Sequence, residues 1–151
     1  MTKKLAALSY KELKIGEFQY WNLYLYERQN PHIGSAYAWL KRPGNNQRFC
    51  ELSEWEQEEL ERIGKNHTNA LEKLLNVRPF VECIAPLNTR YKGHAYQLLI
   101  PRYEGPVTFD GLTFLDASWG EPYGSFMRAK PINRKTLLEL QNQMFARFPN
   151  P

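Results

Sequence analysis

The chain predicts an α+β protein built on a mostly antiparallel sheet, with one long helix and a C-terminal helix. Three observations carry this. Aromatic-rich stretches bounded by Pro, Gly and Asn recur on both sides of the middle of the chain, as strands do. Between them the hydrophobic period switches to that of a helix. A second helical pattern with its own cap closes the chain. The 151 residues suit one domain with one core, so residues 1–151 are read as a single domain.

Phe18 to Glu27 alternates aromatic residues and leucine with polar residues and reads as a strand. Pro31 and Gly34 mark the turn after it, where His32 is expected to be exposed, and Ser35 to Lys41 reads as the returning strand. Pro43-Gly44-Asn45-Asn46 is a loop. Ser53 followed by Glu56 is a capping box. Leu60, Ile63, His67, Ala70, Leu71 and Leu74 then recur at helical spacing, predicting an amphipathic helix from Ser53 to Leu75 with His67 on its apolar face. The glutamates at 51, 54, 56, 58, 59 and 61 favour the first turns of that helix and read as a solvated face. Pro79 to Ile84 and His94 to Tyr103 read as two more strands, joined by a polar, basic loop. Asp110-Gly111 between two Thr-Phe pairs signals a tight hairpin, and 116–123 reads as loop. Asn133 caps a last helix over about 133–148, with Leu137, Leu140, Met144, Phe145 and Phe148 on one face.

Composition removes several function classes. The longest apolar run is far short of the ~18 residues of a membrane span. Lys3 and Lys4 are followed by no long apolar stretch, so no secretory signal is expected. Cys50 and Cys83 cannot build a disulfide framework or a four-ligand zinc site, and each is read as a small buried hydrophobe. The default location is therefore reducing and cytoplasmic. The net charge of +4 comes without a dense Lys/Arg tract, so nucleic acid is not the expected partner. His32, His67 and His94 have no metal-ligand spacing, and neither a metal nor a cofactor is expected. No glycine-rich phosphate loop, GxSxG or HExxH motif is present.

His94-Ala95-Tyr96-Gln97-Leu98-Leu99-Ile100-Pro101-Arg102-Tyr103 resembles the signature strand of the histidine triad (HIT) family, in which alternating histidines precede an Ile-Pro-Arg-Tyr-like end. Trp21 to Glu27 followed by Ile33-Gly34 resembles that family's first hairpin. Leu40-Lys41-Arg42 resembles the strand end before an upstream histidine. Glu51-Leu52-Ser53 resembles the entry to the family's long helix, and Thr113 to Gly120 resembles a segment ending in Trp-Gly. The similarity runs from Phe18 to Tyr123 in matching order. It implies a HIT-like fold with a sheet of about five strands, a homodimer paired through the long helix and sheet edge, and relation to nucleotide hydrolases and transferases such as those acting on diadenosine polyphosphates.

The departures from the family pattern bear directly on chemistry. In the family three histidines alternate along one strand, so they share a face, and the middle one attacks the α-phosphate. Here those positions are His94, Tyr96 and Leu98, and the upstream histidine position is Pro43. The resemblance thus implies a HIT fold in which the family's covalent mechanism does not operate. Three functions follow as expectations. The leading one is a catalytically degenerate protein that binds a nucleotide or another phosphorylated small molecule. The second is an active hydrolase with Tyr96 as nucleophile and His94 as its base, although a phenol of pKa about 10 is a weak nucleophile at neutral pH. The third is a protein-interaction module. The resemblance places Glu27 near a ribose-contacting position and Asn88, Thr89, Arg90 and Lys92 in a phosphate-contacting loop. For the two cations of that loop, solvation is an equal alternative. Trp119 either covers the site or packs on the sheet edge, and Arg102 is expected in an ion pair.

Overall fold

Strand parity sorts the sheet residues. Trp21, Leu23 and Leu25 alternate with Asn22 and Tyr24, and Ala36, Ala38 and Leu40 alternate with Tyr37 and Trp39. The first member of each set is fully buried, so each strand gives one row to the core. In the computed structural model, which describes residues 10–86, 91–124 and 128–148, these rows build a five-stranded antiparallel sheet.

A short 3₁₀ turn, Tyr10–Leu13, leads into β1 (Lys14–Glu17), β2 (Trp21–Leu25) and β3 (Ala36–Leu40). The long helix α1 (Glu54–Leu75) follows, then β4 (Phe80–Ile84) and β5 (Tyr96–Arg102). The sheet order is β1-β2-β3-β5-β4, with every pair antiparallel. β6 (Val107–Phe109) and β7 (Leu112–Phe114) make a separate hairpin whose Asp110 and Gly111 both adopt positive φ, as a tight primed turn requires. The terminal helix α2 (Arg134–Arg147) packs on β1 and α1. Among the described residues, no helix is long and apolar enough to cross a membrane.

The helix signals are borne out. Ser53 caps α1 in a complete capping box with Glu56, and Asn133 caps α2 through the Thr136 N–H. Leu60, Ile63, His67, Ala70 and Leu71 face the core. His67 is fully buried, and its Nε2 donates to the Gly34 carbonyl at 2.7 Å. Gly34 itself lies at φ +94°, and a Cβ there would stand 2.5 Å from Leu71 Cδ2. Only glycine lets this turn lie so close on α1.

Several expectations are corrected. The stretch expected as one strand from Phe18 to Glu27 is a strand only over Trp21–Leu25. Ahead of it lies β1, which the sequence reading does not contain. The carboxylate of Glu59 accepts the N–H groups of Gln19, Tyr20 and Trp21 in succession, and these bonds hold the β1–β2 turn. Glu59 and Glu56 are therefore buried, and the acidic run is a solvated face only in part. Glu56 also takes a two-pronged contact from Arg42. His32 is 3% exposed rather than solvated, because it packs beside Asp116 and against the edge of the Tyr123 ring. Cys50 and Cys83 are exposed, the first in a 3₁₀ turn and the second on an edge strand. Phe145 points outward, 45% exposed. Eight residues at about 100° each place it about 80° around α2 from Leu137, off the buried stripe that Met144 continues.

His67 makes stability depend on pH. Burial holds its folded-state pKa down at about 4, against an ordinary 6.5. Between those values the unfolded chain binds a proton that the folded one refuses. Stability is therefore full above the upper value and lost as the pH falls, by on the order of 3 kcal/mol at about pH 4. The buried His32, also shifted downward by burial, adds in the same direction. Urea unfolding from neutral to acid pH is expected to show a steeper loss in wild type than in His67→Gln. Parallel curves would mean that His67 is not carried neutral.

Candidate functional site

The sheet face opposite the core rows carries the second member of each alternation. β2 contributes Asn22 and Tyr24, β3 contributes Tyr37 and Trp39, and β5 contributes Tyr96, Leu98 and Ile100. Register brings them together: Tyr24 faces Tyr37, Asn22 faces Trp39, Tyr37 faces Leu98, and Trp39 faces Tyr96. With Tyr10, Tyr26, Tyr91 and Tyr123 at the rim, these residues line a cleft of about 1160 Å³. That is the size of a large small-molecule site, typically ~300–1,000 Å³. Glu27 and Lys41 are the charged residues of its described lining.

The rings form a continuous series. Tyr10 meets Tyr24 edge-on at 5.5 Å, and Tyr24 stacks on Tyr37 at 5.3 Å. Tyr37 meets Tyr96 at 6.5 Å, and Tyr96 lies near-parallel to Trp39 at 5.6 Å. Tyr91 stands edge-on to both Trp39 and Tyr96. Such stacked and edge-to-face pairs are each worth about 0.5–1.5 kcal/mol beyond their burial, so the lining is partly self-supporting. Burial pushes the Tyr37 phenol up to about 12, and it also raises that of Tyr24. Both are neutral at physiological pH, and offer hydrogen bonds without charge. Asn22 Oδ1 is buried in the lining with no hydrogen-bond partner among the described residues.

The structure brings some of the expected site residues together and separates others. Tyr96, Leu98 and Glu27 line the cleft. His94 lies flat on Trp39, with ring centres 4.2 Å apart and planes 12° from parallel, and its Nε2 donates to the Leu40 carbonyl at 2.7 Å. That position is set from below. Gly93 at φ +76° runs so close to Asn46 that a Cβ would meet its backbone at 2.7 Å, and Gln47 N–H donates to the Gly93 carbonyl. Lys92 is exposed and Trp119 is 42% exposed, and neither lines the cleft. Asn88, Thr89 and Arg90 lie outside the described residues. Among the described residues, no three of His, Cys, Asp or Glu are grouped so as to hold a metal ion.

Sequence reasoning missed Asn22, Tyr24, Tyr37, Trp39, Lys41 and Tyr91. The signal was available for most of them. Positions 22, 24 and 26, and 37, 39 and 41, share the parity opposite to the apolar core rows.

One wall of the cleft depends on a buried ion-pair cluster. Arg102, 3% exposed, directs Nε and one Nη at Asp116 and donates to Glu82 at 2.6 Å. Its remaining N–H groups reach the carbonyls of Ser118 and Glu121. Glu82 also accepts the Tyr123 N–H, which fixes a rim residue of the cleft. Burial opposes both charges of the Arg102–Asp116 pair. Their mutual hydrogen bonds more than offset it, so the guanidinium pKa lies above and the carboxyl pKa below its ordinary value.

No protein-family model matches the chain, and no curated protein matches it in sequence. Solved structures do match in fold. A histidine triad protein from Bradyrhizobium japonicum superposes with a TM-score of 0.66 at 16% identity, over 91% of this chain and 92% of that one. A hypothetical histidine triad nucleotide-binding protein from Sulfolobus tokodaii gives 0.62 at 14% identity, over 89% and 82%. A uridylyltransferase gives 0.60 at 18% identity, over 90% of this chain and 41% of that chain. At these identities what is shared is the fold, and the fold is HIT-like.

Replacing Asp116 by Ala leaves the Arg102 guanidinium buried without its main partner. Loss of one member of a buried pair costs about 3–5 kcal/mol. The expected result is a matching drop in unfolding free energy, with faster hydrogen exchange at the Ser118 amide, which Asp116 accepts directly. A change of under about 1 kcal/mol, the level of an exposed pair, would contradict the description of this cluster as buried.

Proposed function

We propose that the protein binds a nucleotide, or another small molecule built like one, in the tyrosine-lined cleft, and that it does not carry out the nucleotidyl transfer of the histidine triad mechanism. The observation that carries this is the chemistry of one sheet face. The three alternating positions that would hold histidines are His94, Tyr96 and Leu98, and the first of these spends its Nε2 proton on a backbone carbonyl. An apolar side chain at Leu98 and a proline at Pro43 supply no group that moves a proton or stabilises charge. The cleft nonetheless stays open, ring-lined and large enough for a nucleotide. The shared fold supports the nucleotide class, since a hypothetical histidine triad nucleotide-binding protein has it and 41% of a uridylyltransferase chain superposes on it. The reading includes a homodimer. β4 is an edge strand of the sheet with Phe80 66% exposed, which supports pairing there.

A panel of nucleoside phosphoramidates and dinucleoside polyphosphates tests the proposal. We expect at least one member to raise the melting temperature by several degrees at about 100 times its Kd, worth about 2.7 kcal/mol, with no turnover above buffer. Turnover that disappears in both Tyr96→Phe and His94→Ala would overturn it in favour of an active enzyme. The double variant Tyr96→His, Leu98→His puts three histidines on the open face, and is expected to hydrolyse a phosphoramidate faster than wild type, whereas Leu98→His alone is not.

A further inference from the structure

Trp39 is the one indole in the described lining of the cleft, half-buried on the outward row of β3. A tryptophan side chain turns about two bonds, and the outer torsion has broad minima. Its neighbours therefore decide how the indole stands. Tyr91 meets the ring edge-on at 5.5 Å, and Tyr96 lies 28° from parallel at 5.6 Å. His94 is closer and flatter than either, with ring centres 4.2 Å apart and planes 12° from parallel.

His94 is itself held at several points. Its Nε2 donates to the carbonyl of Leu40, the residue that follows Trp39 in β3. Ring stack and hydrogen bond thus clasp two consecutive residues of one strand. The backbone on either side is fixed as well. The His94 N–H donates to the Tyr91 carbonyl at 3.1 Å, and the Ala95 carbonyl accepts the Leu40 N–H at 3.2 Å. Gln47 brackets the same residue. Its N–H donates to the Gly93 carbonyl at 2.8 Å, its Oε1 accepts the Ala95 N–H at 2.7 Å, and its Nε2 donates to the Arg42 carbonyl at 3.0 Å. The imidazole is therefore pinned by the protein's own backbone. Resting on the nucleotide reading above, we infer that His94 is a positioning residue for Trp39, its imidazole setting the plane of the indole before a ligand arrives. A ring already in place loses no freedom on binding, which is worth about three- to tenfold in affinity for one such side chain.

The inference is tested by fluorine NMR of the full chain labelled with 5-fluorotryptophan. The chain has four tryptophans, and Trp39→Phe identifies the line of Trp39 by its loss. In wild type that line is expected to be single and narrow. His94→Ala removes both the stack and the hydrogen bond, and His94→Gln keeps an N–H donor without the ring. In both, the Trp39 line is expected to shift and broaden while the other three lines stay in place, which a general loosening of the fold would not produce. His94→Phe restores a flat ring and is expected to recover a narrow line. Should His94→Ala fail to fold, His94→Gln decides. A Trp39 line as narrow and as placed as in wild type in the folded variant overturns the inference. Calorimetry with AMP, GMP, CMP and UMP supplies the second readout. The nucleotide that wild type binds best is expected to lose about three- to tenfold in affinity in His94→Gln and to recover most of it in His94→Phe. Undiminished affinity in a variant whose Trp39 line has moved also overturns the inference and leaves the nucleotide reading standing. Wild type that binds none of the four counts against the nucleotide reading, and the fluorine lines then decide the role of His94 alone.

Discussion

Arg102 is the residue on which one wall of the cleft is hung. A guanidinium taken out of water is stable only when its donors are used, and here all five N–H groups find oxygen. Two of the acceptors belong to Asp116 and two are backbone carbonyls of the following loop. The fifth is Glu82, on the neighbouring strand β4. One side chain at the end of β5 thereby ties the sheet edge to the loop that brings Tyr123 to the cleft. Tyr103, next in the chain, sends its hydroxyl to the Ile33 carbonyl and anchors the β2–β3 turn from the same place. Asp116 also stands 3.5 Å from His32 in that turn. Loop, turn and strand end thus share one polar knot beneath an otherwise apolar core.

The opposite end of the sheet is organised by the first turns of α1. Glu56 closes the capping box and also receives Arg42, and its backbone carbonyl takes the Trp21 indole N–H. Glu59 takes three consecutive backbone donors from the β1–β2 turn. A carboxylate that accepts several N–H bonds is well satisfied although buried. These two glutamates do for the turn what a ladder of strand bonds does elsewhere.

This contrast explains how much was readable beforehand. The capping box, the Asn133 cap and the Asp110-Gly111 turn are local, and each shows itself within a few residues. The helix stripe and the strand runs repeat, so the period gives them away. β1 is four residues, Lys-Ile-Gly-Glu, with too little pattern to mark a strand. The burial of Glu59 follows from a turn some forty residues earlier in the chain, and that of His32 from a loop far downstream. Nothing near either residue announces its partner. The cleft occupies an intermediate place. Tyr96 and Leu98 are legible through the family pattern on their strand, whereas Tyr24, Tyr37 and Trp39 need only the parity rule applied to the two neighbouring strands.

The two-residue repeat also divides the labour of selection. On β2 and β3 the inward rows are small or aliphatic apart from Trp21, and are sealed against α1, while the outward rows hold the rings that face the cleft. Exchanging an outward residue changes what the cleft attracts without opening a void in the core. A scaffold partitioned in this way can drift from one ligand chemistry to another in single steps, each of them tolerated by the fold. Tyr96 and Leu98 stand in such an outward row, where an exchange alters the cleft lining and leaves the architecture intact.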